Sequence, residues 1–70
     1  MNDTIFKNIK KIRVLKNLSR EFVSEKLNMS SSGYGKIERG EIDLTISKLY
    51  KISDVLQVSV HDLLFSDLAF

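Results

Sequence analysis

The sequence predicts an all-α fold of five short helices, and three observations carry that prediction. Apolar residues recur at spacings of three and four through most of the chain. Residues suited to starting or stopping a helix stand between those apolar stretches. No segment keeps the strict two-residue alternation, bounded by hairpin turns, that a half-buried strand needs. The 70 residues include no Pro and three Gly, and no repeat or low-complexity stretch divides them. A single domain over residues 1–70 is therefore expected.

In the first helix, expected over 4–16, Ile5, Ile9 and Ile12 follow i, i+4, i+7 and Phe6 widens the stripe, with Asn2, Asp3 or Thr4 placed to cap the start. Ser19 is the next N-cap. Val23 and Leu27 mark a very short second helix, 20–27, stopped by Asn28, a residue that tolerates the left-handed conformation. Ser30 caps a third, 31–39, in which Tyr34 and Ile37 face inward and Gly40 is the left-handed terminator. Thr45 caps a fourth, 46–56, whose apolar face is Ile46, Leu49, Ile52, Val55 and Leu56. Ser59, with Asp62 three residues on, resembles a capping box and opens a fifth, 60–66, with Leu63 and Leu64 inside.

Composition narrows the function. A chain of this size buries only roughly 60% of its unfolded surface, so its core is small. It has no Cys and a single His, which excludes disulfides and thiolate metal sites and makes a zinc site depend on several converging carboxylates. No cofactor or metal is expected. His61 and Asp62 adjoin on one helix without facing each other, and Ser59 is a cap, so no catalytic constellation forms and no enzyme is expected. No apolar run approaches the ~20 residues of a membrane span, and the opening MNDTIFKNIKK lacks the order of a signal peptide. The chain reads as cytoplasmic, with no membrane contact and no small-molecule ligand.

The net charge of +2 is unevenly spread. Residues 1–16 carry +4, with Lys7, Lys10, Lys11, Arg13 and Lys16 against Asp3, and the charge falls to −2 over the last twelve residues. A polyanion is drawn to the first end and repelled by the second, although lysine-rich helix faces also serve as ordinary solvated surface.

The stretch LSREFVSEKLNMSSSGYGKIERGEI, residues 18–42, resembles the Cro and phage-repressor family of helix-turn-helix proteins, also called the xenobiotic-response-element family. The places that carry the likeness are Leu18, Ser19, Arg20, Ser24, Asn28, Tyr34, Ile37, Glu38 and Gly40, and the similarity continues through LTISKLYKISDVLQVSVHDLL. Each has a physical reason. Two steeply crossed helices need a small residue where they touch, and Ser24 stands where the family usually has Ala. The turn between them needs positive φ, which Asn28 accepts. The resemblance implies a compact five-helix, lambda-repressor-like DNA-binding domain with its helix-turn-helix at helices two and three. It further implies a sequence-specific transcriptional regulator, as a repressor, with duplex DNA as partner. A protein-interaction adaptor or antirepressor on the same fold is the alternative.

By that resemblance Ser31, Ser32 and Lys36 are the base-reading positions on the outward face of helix three. Lys36 suits guanine O6 or N7 and equally a phosphate, while the serines read bases only modestly. Ser19 and Ser30 stand at helix N-termini with open N–H groups, and with Arg20, Arg39 and Lys10 they are the candidate phosphate contacts, the competing role being plain solubility. The family also implies a structural ion pair between Arg13 and Glu38. Phe65, Leu68 and Phe70 are more apolar surface than a short tail readily hides. They suggest a homodimer on a palindromic operator, or a tail folded back over its own helices.

Overall fold

The computed structural model describes residues 3–65, and most of them are helical. The helices are α1 Asp3–Leu15, α2 Arg20–Lys26, α3 Ser31–Glu38, α4 Ile46–Leu56 and α5 Val60–Phe65. No strand occurs among the described residues.

Local chemistry sets the helix ends. Ser19, Ser30, Thr45 and Ser59 each accept a hydrogen bond from the backbone N–H three residues on, at 3.0 Å in every case. Each thereby satisfies one of the amides that a helix start leaves open. The first four helices also stop in one way, on a left-handed residue: Asn17 at φ 59°, Asn28 at 56°, Gly40 at 70° and Gln57 at 58°. The N–H that follows each of these reaches back to the last turn, as in Leu18 N–H to Arg13 O at 3.0 Å and Glu41 N–H to Lys36 O at 2.9 Å. This is the Schellman closure. Asn28 and Gly40 are the terminators expected from sequence; Asn17 and Gln57 are additional.

One core joins all five helices. It contains Ile5, Phe6, Ile9 and Ile12 from α1, Val23 and Leu27 from α2 and its end, and Tyr34 and Ile37 from α3. Leu44, Leu49, Ile52, Leu56 and Leu63 complete it. Ile46 departs from expectation: it is 74% exposed. As the first residue of α4 its side chain leans toward the helix N-terminus and so projects past the end of the core. Leu44, just ahead of the Thr45 cap, is buried in its place. Val55 and Leu64 are half-buried at the core's edge. Asn8, on the inner side of α1, donates from Nδ2 to Leu63 O at 2.9 Å and fastens α1 to α5.

Candidate nucleic-acid interface

Helices α2 and α3 meet at Ser24, which is buried. Its Oγ donates to Glu21 O at 3.0 Å and lies 3.3 Å from Ser31 Oγ. The hydroxyl thus does what the more usual Ala cannot, since it bonds within α2 and touches the first turn of α3. Ser31 is consequently half-buried at the crossing, while Ser32 and Lys36 are exposed on the outward face. Ser19 and Ser30 are exposed caps at the two helix starts.

Behind α3 lies a buried charge cluster. Arg13 Nε is 2.6 Å from Glu38 Oε2 and Arg13 Nη2 is 3.2 Å from Oε1, a two-pronged pair. The side chains are 9% and 2% exposed. Arg13 Nη1 also donates to Leu18 O at 2.8 Å, filling a carbonyl in the α1–α2 connection just ahead of the Ser19 cap. Arg20 joins from the surface, its Nε 3.4 Å from Glu38 Oε1 and its side chain 51% exposed. Burial pushes the Glu38 carboxyl up, but hydrogen bonding and charge from Arg13, with the nearby Tyr34 hydroxyl and then Arg20 adding to them, outweigh it and hold the group below the ordinary carboxylate range. Glu38 in turn raises the Arg13 guanidinium. The Tyr34 hydroxyl is buried beside the pair without a partner of hydrogen-bonding geometry. Burial, and then the Glu38 carboxylate, push its ionisation well above the usual tyrosine value.

Arg39, just past α3, pairs through Nε with Glu41 Oε2, and both side chains are about half exposed. Its guanidinium folds back over Gly35: a Cβ on that residue would stand 3.0 Å from Arg39 Nη1. Gly35 is therefore covered although it lies on the outward side of α3. Lys10 is exposed on α1, in a basic strip with Lys7 and Lys11 around a shallow cleft that Val14 also lines. His61 Nδ1 comes to 4.0 Å from Asp62 Oδ1, closer than neighbours on a helix are expected to lie, with both groups in open solvent. Among the described residues no cluster of His, Cys, Asp and Glu is arranged to hold a metal. Nor is any helix among them long and apolar enough to cross a membrane. Phe65 is 69% exposed and rests on the His61 ring at 5.0 Å between centroids. Leu68 and Phe70 lie outside the described residues.

Sequence reasoning missed the side-chain partners of Ser31, Arg20 and Arg39, and the cover that Arg39 makes over Gly35. Only the cover over Gly35 has a sequence signal: a glycine four residues before an arginine places the long side chain over the short one.

Two crossed helices joined by a left-handed turn, the second presenting a polar face and braced from behind by a buried ion pair, define a helix-turn-helix unit. The chain belongs to the helix-turn-helix family, whose pattern matches residues 9–63. Among solved structures it is similar to the N-terminal DNA-binding domain of SinR from Bacillus subtilis. That likeness has 35% identity and a TM-score of 0.82, over 97% of this chain and 100% of that one. It is also similar to the master regulator for biofilm formation SinR in complex with DNA, at 39% identity and TM-score 0.77, over 87% of this chain and 98% of that one. A comparison with curated proteins gave no match.

Proposed function

We propose that this chain is a transcriptional regulator, acting as a repressor, that binds duplex DNA sequence-specifically with α3 in the major groove. The observation that carries the reading is the outward face of α3. Ser32 and Lys36 are exposed there on a helix whose inner face is fixed by Tyr34, Ile37 and the Arg13–Glu38 pair. The DNA-bound SinR structure, at 39% identity, supports it. Ser31 contributes its backbone N–H and what remains of its hydroxyl beside Ser24. Arg20 and the open amides after Ser19 and Ser30 grip phosphates, with Lys10 as an outlying contact. Family and fold are those of regulators rather than enzymes. The chain acts in the cytoplasm and needs no cofactor.

It works as a homodimer on a palindromic operator, with half-sites about one helical turn, roughly 34 Å, apart. Exposed Phe65 supports an apolar contact through α5 and the residues after it. Sedimentation of the native chain beside a Phe65→Ser, Leu68→Ser variant tests this: a native protein that stays monomeric at high micromolar concentration, with DNA affinity unmoved by the double change, rules the dimer out.

The deciding experiment is selection of bound sites from random duplex DNA, with affinity followed against salt. Specific binding should weaken with a log–log slope of about −0.9 per neutralised phosphate. Lys36→Ala should change which bases are preferred, whereas Arg20→Ala should weaken all sequences nearly equally. No enrichment at low salt overturns the reading.

A further inference from the structure

We propose that Arg39, at the C-terminal end of the outward α3 face, is a base-reading residue that recognises guanine, rather than the phosphate contact its charge suggests. The inference rests on α3 occupying the major groove. At about 100° per residue, positions 31, 32, 35, 36 and 39 share one side of the helix within about 140°, and position 39 falls near the centre. A helical side chain leans over the preceding turn. The Arg39 guanidinium accordingly lies over Gly35, with Nη1, Cζ and Nη2 at 3.0, 3.8 and 3.9 Å from the site of an added Cβ. A Cβ at 35 would press Arg39 Nη1 back by a few tenths of an ångström and a longer side chain by more, so the glycine supplies the space in which the guanidinium rests against the helix.

The charge pattern favours a base over a phosphate. Glu41 engages Nε, and the two Nη groups, which lie over Gly35, are the remaining fork. That fork matches the paired acceptors O6 and N7 of guanine. The same carboxylate offsets the positive charge of Arg39 and repels a phosphate. Glu41 is thus a positioning residue, and Arg39 reads by geometry instead of net charge.

Sites selected from random duplex DNA by the native chain, Arg39→Ala and Arg39→Lys separate the two roles. All three should melt alike, because Arg39 is on the surface. The native chain should prefer guanine at one position of each half-site. Both variants should lose that preference by roughly 5- to 150-fold, with other positions unchanged, since lysine keeps the charge but not the fork. If Arg39→Ala weakens every sequence equally, flattening the salt slope by about 0.9, and Arg39→Lys restores affinity, Arg39 holds a phosphate and the proposal fails. A native chain that enriches no sequence overturns the DNA-binding reading itself, a separate outcome.

Discussion

Replacing Glu38 with Gln removes one charge at nearly constant shape from the centre of the Arg13, Glu38 and Arg20 cluster. Glu38 accepts three N–H groups, from Arg13 Nε and Nη2 and from Arg20 Nε. The glutamine keeps one acceptor and turns an amide donor toward guanidinium donors, leaving Arg13, with a side chain only 9% exposed, without its counter-charge. Breaking a buried pair from one side costs about 3–5 kcal/mol, and the surviving acceptor places this change near 3. A 70-residue domain holds roughly 4–10 kcal/mol in all. The loss should lower the melting temperature by about 12 °C or more. Because folding depresses the Glu38 ionisation, its stabilisation is present above the unfolded carboxylate value and disappears as pH falls through the lower folded one. Circular dichroism melts between pH 2 and 7 should show that acidic decline in the native chain and a shallower one in Glu38→Gln. A melting change under about 3 °C at neutral pH, or identical acid profiles, would show that the pair contributes little.

Three further changes probe other parts of the structure. Tyr34 has a raised folded ionisation, so its stabilisation is complete below the unfolded tyrosine value near 10 and lost as pH climbs beyond it; Tyr34→Phe should shift alkaline unfolding upward, and an unmoved midpoint refutes this. Gln57→Gly relieves a left-handed residue with a Cβ, worth about 1 kcal/mol, and should raise the melting temperature by about 4–8 °C; a fall contradicts it. Gly35→Ala improves helix propensity by about 1 kcal/mol against a flexible neighbour, so a rise in melting temperature is expected, and a drop would mean that the Arg39 side chain cannot move aside.

Much of this architecture was legible because short-range chemistry fixes it. A hydroxyl three residues before an amide, as at Ser19, Ser30, Thr45 and Ser59, is a local relation, and so is the i, i+4, i+7 stripe of α1. Asn28 and Gly40 announce left-handed turns by residue type. Gln57 adopts the same conformation without announcing it, because the surrounding packing of α4 and α5 and the Val58 N–H bond to Ser53 O impose it. Ile46 misled for a related reason, since periodicity says which side of a helix a residue takes but not where the core ends. At the candidate interface, the motif singles out Ser31, Ser32, Lys36, Arg20 and Arg39 as candidates. The engagement of Ser31 with Ser24, of Arg20 with Glu38 and of Arg39 with Glu41 could not, because side-chain partners across a turn depend on rotamers that no spacing specifies.

The bond from Asn8 to Leu63 spans 55 positions in sequence, whereas Ser24 meets Ser31 across seven. Bringing distant segments together costs entropy that rises with the logarithm of the separation. The α2–α3 corner can therefore assemble from sequence neighbours, while docking of α5 onto α1 waits for nearly the entire described chain. In kinetic terms α5 is the element most easily released and last recovered, so amide exchange should reach it before the corner. The reading unit and the proposed subunit contact thereby sit at opposite ends of the order of assembly.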